Sequence, residues 1–237
     1  MIRNILFDMD DTIFDFKMAE KIALKKTLQQ LGVNPTDEIM SRYSVINQAQ
    51  WRLLEEGKIA REELKSRRFR LLFEEFGSDA SEFEAAQLYG ELLGVGHYYI
   101  EGAHELLEEL QGKYALYIVS NGTTSVQKGR IASSDIEKFV KAIFISQEIG
   151  VNKPAREFFD ACFAQIEDND RDASVIIGDS LTSDIQGGAN AGITSVWFNP
   201  HAKENNTDIR PDYEIRSLSE IPALIEKISA DKEGKAV

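Results

Sequence analysis

Five short apolar runs limit what this chain can become: residues 2–7, 115–119, 142–145, 174–177 and 195–198. The first closes on Ile5-Leu6-Phe7, apolar on successive residues, which is the pattern of a central strand buried on both faces. The text between the later runs repeats at helical spacing. Ala103, Leu106, Leu107 and Leu110 fall at i, i+3, i+4 and i+7, one face of a helix, and Gly112 ends it. A further helix is expected from about Thr124, another with Phe158, Phe159, Cys162, Phe163 and Ile166 on one face, and another over 184–191. The segment DYEI reads as a short last strand, residues 220–228 as a last helix, and the polar tail 230–237 as frayed. Strands alternating with helices predict an α/β fold, a Rossmann-like parallel sheet.

One block breaks the alternation. From Lys17 to about Tyr98 the sequence is helical and charge-rich, punctuated by Gly32, Gly57 and Gly77, and Pro35 with Thr36-Asp37-Glu38 marks a helix start. No strand is credible there. The expected organisation is a catalytic core over 1–15 and 99–237, with a helical cap over 16–98 inserted after the first strand.

Composition narrows the function. Acids outnumber bases 40 to 27, a formal charge of −13. Such a surface repels nucleic-acid backbones and anionic membranes, so neither a nucleic-acid polymer nor a membrane is expected as partner. A small anionic substrate would need local cations. One cysteine, Cys162, excludes an intramolecular disulfide. There is no signal-peptide pattern and no apolar stretch near the ~20 residues of a membrane span. A cytoplasmic protein, monomer or homodimer, is expected.

The residues just beyond each run carry the chemistry, because ligands of open parallel sheets bind beyond the carboxyl ends of the strands. The first run leads to Asp8-Met9-Asp10, the second to Ser120-Asn121-Gly122, the third, past Gln147-Glu148, to Asn152-Lys153-Pro154, and the fourth to Gly178-Asp179-Ser180. Carboxylates ~4 Å apart repel by about 4 kcal/mol at an effective dielectric of 20. A cation relieves that repulsion, and an all-oxygen set suits Mg²⁺. Ser120, the N–H groups after it and Lys153, whose backbone the following proline biases to an extended form, describe a phosphate cradle. Asp8 can then attack phosphorus, and Asp10 can protonate the leaving alcohol and later deprotonate water.

FDMDDTIFD, SNG, NKP and GDSLTSD, in this order, resemble the four motifs of the haloacid dehalogenase-like hydrolase superfamily, over essentially the whole chain. The resemblance implies a Mg²⁺-dependent phosphatase with Asp8 as nucleophile and Asp10 as acid/base, the latter also a metal ligand through its main-chain carbonyl. It implies Thr12, Ser120, Asn121 and Lys153 at the phosphate. Asp179 becomes a metal ligand beside Asp8 and Asp10, and Asp184 its supporting acid. Dehalogenases of the superfamily lack the acid at the position of Asp10, so phosphoryl transfer to water is expected, on a small-molecule phosphate ester. The runs GDSLTSDIQGGANAG and FDMDDTIFDF look most like the pyrimidine 5′-nucleotidases. A sugar-phosphate or acylneuraminate phosphatase, a phosphomutase, and a non-enzymatic receiver-like signalling domain are the alternatives.

Other chemistry-bearing residues read as structural. Cys162 lies on an apolar stripe, and His97, His104 and His201 lack metal-ligand spacing. Asp11 and Asp15 read as helix-start or solvent-facing acids, Arg67-Arg68-Arg70 as a solvated face, and Trp51 as packing between helices.

Overall fold

The sheet is six-stranded and parallel throughout, with strands β1 (Asn4–Asp8), β2 (Ala115–Ser120), β3 (Ala142–Ile145), β4 (Ser174–Gly178), β5 (Thr194–Phe198) and β6 (Tyr213–Ile215) in the order β3-β2-β1-β4-β5-β6. This computed structural model describes residues 1–234. The chain runs outward from β1 in one direction, then returns to start again on its other side. That doubly wound, Rossmann-like order opens a crevice where the direction reverses, between β1 and β4. All five residues of β1 are buried, so Leu6 faces one layer while Ile5 and Phe7 face the other.

Helices α5 (Ala103–Leu110), α8 (Arg156–Phe163), α9 (Gln186–Ala191) and α10 (Ile221–Gly234) accompany the strands, with a four-residue α7 (Ser146–Ile149) after β3. On one face Phe158, Phe159, Cys162 and Phe163 of α8 pack with Leu6, Val119, Phe144 and Ile176. Cys162 is therefore core. Two glycines permit this closeness. A Cβ on Gly187 would lie 2.7 Å from the Phe159 ring, and one on Gly188 would lie 2.7 Å from an Ile176 methyl. The last helix extends past Ile228, so the expected frayed tail is helical from Ala230 to Gly234; its final three positions, 235–237, lie outside the described residues.

The chain divides into two compact units: 1–15, 98–124 and 134–237 form the sheet unit, and 16–97 with 125–133 form the helical unit. The latter contains α1 (Phe16–Gln30), α2 (Asp37–Glu55), α3 (Arg61–Phe76), α4 (Glu82–Leu93) and most of α6 (Thr124–Ser133). Thr36 caps α2 by accepting from the Ile39 N–H, and Ser81 caps α4 through Glu84. Close approach again needs glycine: a Cβ on Gly129 of α6 would stand 2.5 Å from the Gly94 carbonyl oxygen. The interior holds Tyr43, Phe69 and Tyr89, their ring centroids 5.1–5.6 Å apart.

Arg68 corrects the sequence expectation of a solvated arginine face. It is buried over the Tyr89 ring, 4.6 Å from its centroid, and donates to Asn47 Oδ1 at 2.9 Å. Arg70 lies outside and Arg67 is half-buried, paired with Glu74 and Glu63 respectively one turn away. Helical periodicity separates Arg68 from its neighbours: residues one and two apart point to different faces. Among the described residues no helix is long and apolar enough to cross a membrane.

Candidate active site

Strand register sets the site. Asp8, the last residue of β1, stands opposite Val119, one before Ser120; Phe7 stands opposite Ile177, so Gly178 is level with Asp8. β1 thus ends in Asp8, β2 in Ser120 and β4 one residue before Asp179, all at one edge beside the switch point.

Lys153 organises the centre. Its ammonium is 1% exposed and donates to Asp8 Oδ1 at 2.6 Å, Asp184 Oδ1 at 2.7 Å and the Val119 carbonyl at 2.9 Å. All three protons of the ammonium are thereby used. Burial pulls the lysine pKa down, but Asp184 and Asp8 together outweigh it and hold the pKa above the ordinary value. Burial, then the negative field of Asp184, push the Asp8 carboxyl well above its ordinary range; Lys153 opposes them, and Asp10 and Asp179 add to them.

The lysine is held by its own backbone. Asn121 accepts from the Lys153 N–H at 2.8 Å and donates to the Lys153 carbonyl at 2.9 Å and to Ser183 Oγ at 3.2 Å. The Asn121 amide is thus turned onto the main chain of residue 153, and its observed work is to position that lysine. Ser120 is buried, and its Oγ accepts from the Gly122 N–H at 3.0 Å.

Asp184 arrives through a wide π turn, Leu181–Ile185, rather than by the regular helix the sequence suggests from this residue. Its Oδ2 accepts from the Ser180 N–H at 3.1 Å while Oδ1 holds Lys153, so both oxygens have protein partners. Gly178 makes room for it. A Cβ there would lie 2.2 Å from Asp184 Oδ2, closer than any real contact. Asp179 is anchored from β5, where Trp197 donates Nε1–H to its carbonyl at 2.9 Å. Sequence reading missed Trp197 in this role. An indole N–H in a strand must find an acceptor, but only the fold tells which.

One carboxylate oxygen from each of Asp8, Asp179 and Asp184 lies within 4.8 Å of the others. Asp10, expected among the metal residues, does not contribute its carboxylate to this group; it sits partly buried in the turn after β1. Thr12 is fully buried, and its Oγ1 has no hydrogen-bond partner among the described residues. Asp11, read as a helix-start or solvent-facing acid, instead takes a left-handed conformation, φ 58°, inside the turn. Asp8, Ser120, Lys153, Asp179 and Asp184 are therefore brought together, Asn121 stands behind Lys153, and Asp10 and Thr12 occupy the turn that comes after Asp8.

A family model described as haloacid dehalogenase-like hydrolase matches residues 5–198. The HAD-hydrolase YfnB of Bacillus subtilis is 42% identical over 92% of this chain and 93% of its own. Its magnesium-bound crystal structure superposes with a TM-score of 0.90, covering 94% of this chain and 98% of that one. The pyrimidine 5′-nucleotidase PynA of Streptococcus pneumoniae is 38% identical over 96% of this chain and 97% of its own. The pyrimidine 5′-nucleotidase YjjG of Escherichia coli is 29% identical over 93% and 96%. With the motifs at the strand ends of a Rossmann-like sheet, these likenesses identify the chain as a member of the haloacid dehalogenase-like hydrolases, an enzyme of the phosphatase type.

Proposed function

We propose that the enzyme is a Mg²⁺-dependent phosphomonoesterase that works through an aspartyl-phosphate on Asp8 and acts on nucleoside 5′-monophosphates, pyrimidine ones first. The observation that carries this reading is the buried Lys153 ammonium between Asp8 and Asp184, with Asp179 beside them. Three converging carboxylates facing one ammonium leave an excess of negative charge that a divalent cation offsets. The donors are all oxygen, which suits Mg²⁺. Asp8 and Asp179 would hold the ion through their side chains and Asp10 through its main-chain carbonyl. Asp184, both of whose oxygens have protein partners, would support from behind. Bound there, the ion would supply positive charge to the phosphoryl oxygens.

The chain's own residues account for the rest. Lys153 orients the Asp8 carboxylate, whose oxygen attacks phosphorus while the ester P–O bond breaks. Asp10 gives its proton to the departing alcohol oxygen. It then takes a proton from water, which attacks the same phosphorus and breaks the bond to Asp8, releasing inorganic phosphate and restoring both carboxyl groups. Ser120 and the N–H groups beyond it would hold phosphate oxygens. The helical insertion, residues 16–98, is assigned the choice of leaving group. The two relatives named as pyrimidine 5′-nucleotidases support the substrate class. A receiver-like role fits poorly, since that fold orders its strands 2-1-3-4-5 whereas here β2 and β4 flank β1.

The test is phosphate release from a panel of pyrimidine and purine nucleoside 5′-monophosphates and sugar phosphates, with Mg²⁺ and with EDTA. The highest kcat/KM is expected on a pyrimidine nucleotide, abolished by EDTA. Preference for sugar phosphates would replace the substrate class, and no release from any ester would overturn the reading.

A further inference from the structure

The turn that carries Asp10 is braced by one residue, Phe14. The Phe14 N–H donates to the Met9 carbonyl at 2.8 Å, and its carbonyl accepts from the Asp11 N–H at 2.8 Å. Both flanks of Asp10 are therefore tied to Phe14, and these two bonds make the parallel β-bridge between Asp10 and Phe14. Phe14 is held in turn by Tyr99. The two form an antiparallel bridge, and their rings meet edge to face at 4.9 Å. That bridge is made by the bonds from Asp15 N–H to the Tyr98 carbonyl and from Ile100 N–H to the Ile13 carbonyl, a short clasp.

Tyr99 is fixed at its far end. Its hydroxyl donates to Asp135 Oδ1 at 2.8 Å, and His104 Nε2 lies 3.1 Å from Asp135 Oδ2. The His104 ring stands edge-on to both Tyr99 and Phe139. The proposed phosphoryl transfer uses none of the side chains of Tyr99, Asp135 and His104.

We propose that Tyr99, Asp135 and His104 are positioning residues for Asp10, acting through Phe14. The inference rests on the reading of Asp10 as acid/base. A general acid must lie within hydrogen-bond reach of the atom it protonates, so loosening the turn lowers turnover before it affects binding. The link also carries a pH signature. Asp135 faces Tyr99, His104 and, at 3.8 Å, Lys138; His104 faces Asp135, Glu105 and, at 3.8 Å, Glu108. The hydrogen bond to Asp135 holds the His104 pKa above its ordinary value, and the same bond holds Asp135 below its own. The ion pair is therefore complete between the Asp135 value and the His104 value, and above the latter weakens to a hydrogen bond between neutral imidazole and carboxylate.

The test is steady-state kinetics with hydrogen exchange of the segment 9–15 in Tyr99→Phe and His104→Gln. Tyr99→Phe should lower kcat about tenfold at nearly unchanged KM. It should also speed exchange in that segment. Wild type should show a fall in kcat as pH rises through the His104 value, and His104→Gln should remove it. Variants that lose thermal stability but keep wild-type kcat, pH profile and exchange would overturn the proposal. Exchange is read without turnover, so faster exchange in a protein that hydrolyses no ester would sink the phosphatase reading and leave the clasp standing.

Discussion

Two of the places where acids and bases are buried together differ in how they are balanced. In the helical unit, Glu20 accepts from Asn47 Nδ2 at 2.7 Å and Ser44 Oγ at 2.8 Å, while Arg68 donates to the same Asn47. One carboxylate is matched by one guanidinium, with an amide between them. At the sheet edge, three carboxylates converge where one lysine is buried. The first arrangement is complete in itself. The second holds more carboxylate than ammonium, an excess that a further cation would offset. Burial of charge thus does not mark a site, whereas an unbalanced cluster of it does.

Substitutions can break that contrast. Asp8→Asn is expected to lower turnover by roughly four orders of magnitude or more while the fold survives, checked by phosphate release and circular dichroism. Lys153→Met removes the ammonium between two carboxylates and should cost about 3–5 kcal/mol in EDTA, with part of the loss recovered in Mg²⁺. Arg68→Met is the matched change in the helical unit. Glu20 keeps both its donors but loses its matching charge, so the cost should again be about 3–5 kcal/mol, and Mg²⁺ should not alter it. Urea unfolding of both variants, with and without Mg²⁺, makes the comparison, and equal Mg²⁺ responses would erase it. Gly178→Ala drives a methyl into Asp184 and should cost about 1–3 kcal/mol, with a loss of kcat that no mutation of solvent-facing residues reproduces.

The smallest effect is on pH. Burial and the neighbouring acids raise the Asp8 pKa in the folded protein above its ordinary value of 3.8. Between these two values the folded state binds more protons than the unfolded chain, so in EDTA stability should fall as pH rises through that window. Mg²⁺ should flatten the slope, and Tm measured against pH with and without the ion tests it.

Much of this was legible in the sequence, for physical reasons. A strand buried on both faces has to be an apolar run, so β1 to β5 stood out. A parallel sheet collects its strand ends at one edge, so Asp8, Ser120 and Asp179 could be placed together from position alone. Lys153 was legible because it lies in the loop leaving β3 and precedes proline. Partners distant along the chain were not. Nothing near Asn121 announces that its amide will grip the backbone of residue 153, and nothing near Trp197 announces the Asp179 carbonyl. Arg68 looked like its neighbours Arg67 and Arg70 until helix phase turned it inward. Nothing beside Gly178 in the sequence announces that it is the space into which Asp184 fits.

The most direct test is calorimetric titration of Mg²⁺ into the wild type and into Asp179→Asn, each in the presence of inorganic phosphate. One ion should bind the wild type, and binding should be lost or sharply weakened in the variant, which removes one of the three converging carboxylates. Wild-type protein that takes up no Mg²⁺, or a variant that binds it as tightly, would contradict the claim that excess acid at this sheet edge exists to hold a cation.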